Sequence, residues 1–331
     1  AKKETLDRFL HRLVKTIMSG STIHLLVALC KAQAFPAESV SPQLLNIITD
    51  NKKPPNLQLR LIPALLSVNK SREVIHAIVK AIGPKLSSEK DDNRKLAQQS
   101  LTELIKSMEP ADYFILYQDL RRFLNEGRKI PVLFVSLHNL LENAKRDPEI
   151  KEGPFDSFIK LFSEVLLNDI FGPMGEMRLQ KAKDIPEAKK CVSIDSFQYL
   201  AKLVTFHQSS TPNAKDMIDT ILSEFEKLRT KPQEKGAKSL IESLSRGFVE
   251  NETVDAKSLV DLIFYLLEVS DTIKKKEQEK KEKSERIVYG RKYEEDFLIE
   301  KPVRSQTENG TEISKTLGSN YLVSFMAVRL L

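Results

Sequence analysis

The sequence predicts an all-α protein built as a HEAT-like α-solenoid, in which antiparallel helix pairs stack one on the next. Of its 331 residues only 11 are glycine and none is tryptophan, while 41% are hydrophobic and 30% are charged. This balance favours helices over the glycine-rich turns of sheets and nucleotide-binding loops. Apolar residues also recur at the three- and four-residue spacing of an amphipathic helix along almost the whole chain.

The first apolar stripe begins close to the first residue of the chain. It consists of Leu6, Phe9, Leu10, Leu13, Val14 and Ile17. Gly20-Ser21-Thr22 interrupts this helix and caps a second one, which carries the apolar residues from Ile23 to Cys30 and is closed by Pro36. The two helices together predict one repeat unit.

Each later helix is predicted from a capping or turn residue at its start, because the first amides of a helix lack partners within it. These starts lie near Ser41, Asn56, Ser71, Asp92, Pro110, Lys129, Gly153, Ser193, Asn213, Lys235, Asp255 and Ser319. Most starts are 15 to 24 residues apart, so two helices fill the length of a HEAT-like repeat. A compact helical bundle is the alternative, and the chain length favours the solenoid.

Composition divides the chain into three parts. Residues 1–270 are expected to form HEAT-like repeats, interrupted by an irregular linker at about 170–193 that is rich in Gly, Pro and Lys. Residues 271–318 are expected to form a charged linker and an extended strap, and 319–331 to start a further repeat helix. Because the chain begins without Met and stops inside an apolar run, we expect it to be a piece of a longer protein.

No residue pattern predicts catalysis, a cofactor or a metal. Phosphate-binding loops, dinucleotide-binding loops and the nucleophile elbow are all missing from the sequence. The five histidines, His11, His24, His76, His138 and His207, have no metal-binding spacing. Cys30 and Cys191 are too far apart in sequence for a clustered site and are expected to be free thiols. We therefore predict a non-enzyme with no small-molecule substrate.

Neither a membrane nor a secretory route is predicted. No apolar run approaches the roughly 20 residues that span a bilayer. The glycosylation patterns at Asn69, Asn251 and Asn309 are interpreted as chance occurrences.

Basic residues supply the candidate contacts with RNA, since the net charge is +6 and the pI is about 9.0. One group is a corner between two predicted helices, formed by Arg121, Arg122, Arg128 and Lys129. The other is the run from Lys274 to Arg286, with Lys274, Lys275, Lys276, Lys280, Lys281, Lys283 and Arg286. The corner is also consistent with solvated helix ends.

The run from Lys274 to Arg286 has seven basic and four acidic side chains in thirteen positions and no apolar residue. Three interpretations stay open for it: an exposed linker made helical by charge pairing, a contact with RNA phosphates, or a localisation signal. It lacks aromatic residues that stack on unpaired bases, so any RNA contact is expected to read backbone charge.

Three passages carry a family resemblance. They are YFILYQDLRRFLNEGRKIPVLFVSLHNLLENA (residues 113–144), FDSFIKLFSEVLLNDIFGPMGEMR (155–178) and EAKKCVSIDSFQYLAKLV (187–204). Their order, the Phe171-Gly172 turn and the Asp195-Ser196 helix start resemble the nucleolar HEAT-repeat family called DRIM in animals, the twentieth U-three-snoRNA-associated protein of yeast. The resemblance covers roughly residues 91–331.

The resemblance implies a scaffold of the small-subunit processome, which matures the precursor of small-subunit ribosomal RNA. It also implies location in the nucleus and nucleolus, with processome proteins, pre-rRNA and snoRNA as partners. A solenoid suits this role because its long surfaces hold RNA and protein together without chemistry. The alternative is a karyopherin-like or phosphatase-scaffold-like HEAT adaptor that binds protein partners.

Overall fold

The computed structural model describes residues 20–34, 36–50, 52–126, 129–146, 153–173, 190–206, 212–228, 230–294 and 319–330, together with Arg8 and Arg12. Within these ranges only the backbone is described for 20–22, 212, 277, 280–294, 319 and 320. The predicted stripe from Leu6 to Ile17 therefore lies outside the described residues, apart from the helical Arg8 and Arg12.

The described residues form thirteen α-helices and no strand, which confirms the all-α prediction. In chain order they are α1 Gly20–Lys31, α2 Ala37–Thr49, α3 Pro55–Val68, α4 Arg72–Leu86, α5 Asp91–Ser107, α6 Tyr113–Leu124, α7 Ile130–Asn143, α8 Ile159–Phe171, α9 Ser193–Leu203, α10 Pro212–Phe225, α11 Lys231–Val249, α12 Ala256–Glu294 and α13 Ser319–Leu330. Short 3-10 turns, Pro110–Asp112 and Asp156–Phe158, precede α6 and α8.

Consecutive helices alternate between two layers. The odd-numbered helices pack in a row in which each contacts the next odd helix, from α1 to α13. The even-numbered helices form the second row, where α2, α4 and α6 pack in series and α8 packs on α10. Stacked rings of Phe114 and Phe158, with centroids 3.6 Å apart, connect α6 to the turn before α8. This arrangement is the solenoid-like stack that the sequence predicts.

The core is one continuous layer of apolar side chains between the two rows of helices. It runs from Ile23 in α1 to Leu330 in α13 and includes the fully buried aromatic residues Tyr113, Phe155 and Phe197. A single helix pair cannot bury its own apolar face, so each pair depends on its neighbours for burial.

Most helix starts lie within three residues of the predicted positions, but two helices begin four residues before the predicted residue. A third helix, α8, begins at Ile159, six residues after the predicted Gly153, because the 3-10 turn Asp156–Phe158 comes first. α2 begins at Ala37 after Pro36, whereas the sequence predicts a start near Ser41. α11 begins at Lys231, whereas the sequence predicts a start near Lys235. At α11 the hydroxyl of Thr230 accepts the amide of Gln233, and the Gln233 side chain accepts the Thr230 amide. This reciprocal capping box fixes the start.

Candidate RNA-binding and partner-binding surfaces

The predicted basic corner lies at the end of α6. Arg121 and Arg122 are exposed in its last turn, and Lys129 is exposed directly before α7. Arg128 lies outside the described residues. Arg122 Nη1 donates to Asp119 Oδ1 at 3.0 Å, and the other oxygen of this buried carboxylate is 2.7 Å from His76 Nδ1 in α4. Arg122 is therefore ion-paired at the α4–α6 contact, although its side chain stays 69% exposed. Arg121 and Lys129 are exposed near it.

The charged run belongs to the longest helix of the structure. α12 has 39 residues, which corresponds to about 58 Å. Its side chains pack against the core as far as Ile273, after which the side chains that the structure describes, Lys274, Lys275 and Lys276 among them, are exposed. About 30 Å of helical backbone follows Ile273, the last residue of α12 for which the structure describes a core contact.

The helical backbone includes every candidate residue of the run, including Lys280, Lys281, Lys283 and Arg286. Lys274 Nζ lies 3.3 Å from Asp271 Oδ1, one turn earlier. In the sequence, glutamates precede basic residues by four positions three times, at Glu277, Glu279 and Glu282. This order of charges stabilises a helix. It therefore predicts that the helix continues through the run. Of the predicted charged linker and extended strap over 271–318, the residues as far as Glu294 are helical, and residues 295–318 lie outside the described residues.

A second surface has the opposite charge. A groove of about 940 Å³ between α8 and α10 carries the carboxylates of Glu164, Asp216, Asp219 and Glu224 against two cations, Lys160 and Lys227. Glu224 is paired with Lys227, and Asp219 accepts the hydroxyl hydrogen of Tyr265 from α12. A groove with this excess of carboxylates repels phosphates.

The residues that carry the family resemblance make packing and ion-pair contacts at the ends of helices. Phe171 ends α8 and packs edge-on against Phe225, with ring centroids 6.2 Å apart. A Cβ at Gly172 would lie 2.7 Å from the backbone carbonyl oxygen of Asn168, so this close approach requires glycine. Asp195 pairs with Lys190 at 2.6 Å. These contacts fix the entry into α9 and the exit from α8.

His138 in α7 joins the odd layer through a buried polar contact. Its Nδ1 is 3.0 Å from Ser196 Oγ in α9, and its ring meets Tyr199 edge-on at 5.5 Å between centroids. Burial lowers the pKa of His138, against smaller opposing effects of the Glu142 and Asp195 carboxylates. The neutral imidazole is therefore favoured at this helix contact.

Asn251, the first residue of a glycosylation pattern, is buried after α11. Its Nδ2 donates to the carbonyl oxygens of Ala201 and Val204, both at 2.7 Å, and its Oδ1 accepts the Thr253 amide at 2.9 Å. The side-chain amide of Asn251 thus donates to two carbonyl oxygens at the C-terminal end of α9. The side chain that a glycan would modify is inaccessible in the folded protein.

Over the part of the chain that the structure describes, no group of three or more His, Cys, Asp or Glu side chains is arranged to hold a metal ion. Cys30 and Cys191 are not joined in a disulfide; Cys30 is buried, and its burial raises its pKa to about 11. Such a thiol is unreactive near neutral pH. Among the described helices, none combines the length and the apolar character needed to span a bilayer.

A family model described as the U3 small nucleolar RNA-associated protein 20 domain matches residues 59–267, nearly two thirds of the chain. The match runs from α3 into α12 and ends before the charged run. It begins earlier than the resemblance in the sequence, which starts near residue 91, and α3 and α4 therefore belong to the matched region.

Proposed function

Because the chain belongs to the U3 small nucleolar RNA-associated protein 20 family, we propose that it is a non-catalytic scaffold segment of the small-subunit processome. Family membership implies a role in ribosome biogenesis and in that assembly. The finer part of the proposal is that the stacked helices support pre-rRNA processing by holding RNA and proteins together. The observation that carries it is the match itself, which spans ten of the described helices, from α3 to α12.

The charged part of α12 is the proposed RNA contact. Its lysines follow Ile273 along one helix, and the three whose side chains are described, Lys274, Lys275 and Lys276, are exposed to an approaching RNA. The interspersed glutamates limit the number of phosphates that it neutralises. Arg121 and Lys129 provide a smaller second contact on the body. Both contacts act on backbone charge, so they position RNA and do not select its sequence.

The proposed location is the nucleolus, and the proposed partners are processome proteins, pre-rRNA and snoRNA. No membrane or small-molecule substrate takes part in this proposal. The second candidate function, a karyopherin-like or phosphatase-scaffold-like adaptor, is favoured only by the general property that helical solenoids offer long protein-binding surfaces.

Affinity purification of the tagged chain from cells, with and without ribonuclease, separates the two functions. The scaffold predicts recovery of U3 snoRNA, precursor of small-subunit rRNA and processome proteins, with part of the protein set released by ribonuclease treatment. Recovery of nuclear-import cargo or a phosphatase catalytic subunit, unchanged by ribonuclease and without these RNAs, would instead establish the adaptor.

A further inference from the structure

A groove of about 540 Å³ opens on the odd layer across α1, α3 and α5. Its apolar lining comes from all three helices: Ile23, Val27, Leu59, Pro63 and Leu96. Ile23 and Leu59 belong to the core, and Val27 and Leu96 pack against it while remaining partly exposed. The volume is within the range of sites that hold small ligands or a few side chains.

The floor of this groove is held in a fixed shape by a proline. Pro63 has no amide hydrogen, so it leaves the carbonyl of Leu59, four residues earlier, without its helical donor. Ser100 Oγ of α5 lies 3.2 Å from this carbonyl oxygen and 2.9 Å from Leu96 O in its own helix. The contact fastens α3 to α5 directly beneath the groove. A preformed floor lowers the ordering cost of binding.

Unpaired cations border the groove. Lys31 at the end of α1 and Arg60 in α3 are exposed, and neither is in an ion pair within the described residues. His24 adds a third basic side chain, and Glu103 is the one carboxylate among the lining residues that the structure describes. Two fixed positive charges above an apolar floor favour a ligand with apolar groups and negative charge.

We propose that this groove binds an acidic segment of another protein that inserts apolar side chains between α1, α3 and α5. Protein is favoured over RNA because the described lining contains no aromatic ring on which a base stacks. Apolar anchors from the segment fill the floor, and its carboxylates meet Lys31 and Arg60. The site lies in the first helices of the chain, far along the stack from α12, so it acts independently of the proposed RNA contact.

Selection from a phage-displayed random peptide library on the purified chain tests this inference. We expect enriched peptides that combine Leu, Ile or Phe with Asp or Glu. A synthetic peptide of the enriched sequence is then titrated by fluorescence anisotropy. Lys31→Glu/Arg60→Glu should weaken its binding about tenfold or more, since two attractive interactions become repulsive. Gln99→Trp, which places a ring at the exposed edge of the groove, should weaken it without changing charge.

Lys80→Glu/Lys257→Glu is the matched control, because it reverses two exposed cations on even-layer helices. This variant should bind the peptide as the parent chain does, and circular dichroism should show that all variants keep their helical content. The inference is overturned if no peptide is enriched, if the enriched peptides are basic, or if both groove variants bind normally. It is also overturned if a single-stranded RNA, and not the peptide, depends on Lys31 and Arg60.

Discussion

Gly247 of α11 lies directly against the carbonyl of Gln198 in α9: a Cβ at this position would be 2.2 Å from that oxygen and 2.7 Å from the Ala201 Cβ. The backbones of the two helices therefore approach more closely than any side chain allows. Glycine is required here because of the close approach and not because of its backbone conformation, since the φ of Gly247 is not in the left-handed region.

Gly247→Ala is expected to lower the free energy of unfolding by about 1 to 3 kcal/mol, because the added methyl group forces α9 and α11 apart. Gly236→Ala in the same helix is the control. A Cβ there would meet Phe171 at 3.5 Å, an ordinary contact, and should raise stability by about 0.5 to 1 kcal/mol. Urea denaturation measures both values. Equal effects of the two substitutions would contradict the packing argument.

Ser100→Ala should lower stability by about 1 kcal/mol, because it removes the donor to the Leu59 carbonyl. Ser107→Ala, in the same helix, removes only a hydrogen bond to Leu104 O within that helix and should cost less. In a Pro63→Ala background the Leu59 carbonyl regains a helical donor, so the cost of Ser100→Ala should shrink. A double-mutant cycle gives this coupling, and a coupling of zero would show that the proline and the serine act separately.

Asn251→Asp should destabilise the protein more than Asn251→Ala. Both changes remove the donors to Ala201 O and Val204 O, and buried carbonyls without a donor cost about 1 to 3 kcal/mol. The aspartate also places a negative charge against two carbonyl oxygens. Asn213→Asp, at a half-buried position in the first turn of α10, is the control. Thermal melting followed by circular dichroism distinguishes these outcomes; identical melting of all variants would be inconsistent with the hydrogen bonds described.

His138 should make stability depend on pH. Its pKa is lowered in the folded state from an ordinary value of 6.5, so the unfolded chain binds a proton more readily than the folded chain. The free energy of unfolding is therefore not reduced by His138 above about pH 6.5. It falls as the pH decreases from 6.5 towards the lower pKa that His138 has in the folded state. His138→Gln should flatten the slope of unfolding free energy between about pH 7.5 and 5.5. His24→Gln, at an exposed position, should keep the slope of the parent chain.

Replacing Lys274, Lys275, Lys276, Lys280, Lys281 and Lys283 by Gln should leave helical content and melting temperature nearly unchanged. Glutamine and lysine have similar helix propensity, and the described lysines of the run are exposed. The variant loses the favourable spacing of Glu277 with Lys281 and of Glu279 with Lys283, but each such pair is worth only about 0.2 to 0.5 kcal/mol. Binding to unrelated RNAs should weaken by similar factors. The slope of log affinity against log salt should fall by roughly 0.7 to 0.9 for each phosphate that the variant no longer neutralises.

The control for this substitution replaces six exposed lysines on the body: Lys52, Lys53, Lys70, Lys80, Lys106 and Lys257. It changes the net charge equally and should affect RNA binding less. If the run variant melts at a lower temperature, or stops binding one RNA while it still binds another, the run is a structural or sequence-reading element and the proposed phosphate contact is wrong.

Helix existence and order were predictable because apolar spacing and start signals agree along the described chain. Boundaries were wrong where two signals competed. Ser41-Pro42 resembles a cap followed by a first-turn proline, yet Pro42 lies inside α2 and Pro36 precedes its start. At α11 the Thr230 to Gln233 pattern is present in the sequence and would have located the start.

The site was less predictable than the fold. The sequence identifies charged residues but does not show which of them form ion pairs. Arg122 pairs with Asp119, and the same carboxylate contacts His76, which lies 46 positions before Arg122. The groove across α1, α3 and α5 was not predictable either. It depends on residues from three helices, brought together by the stacking of one layer.

In the described stack, the main packing contacts join helices no more than three places apart in the order of the chain. Stability is therefore distributed along the stack, because each helix pair is stabilised mainly by its contacts with the pairs on either side of it. A strain applied at α12 weakens with each helix contact that it crosses before it reaches α1. The described stack can thus bend near α12 while the helices around α1 keep their arrangement.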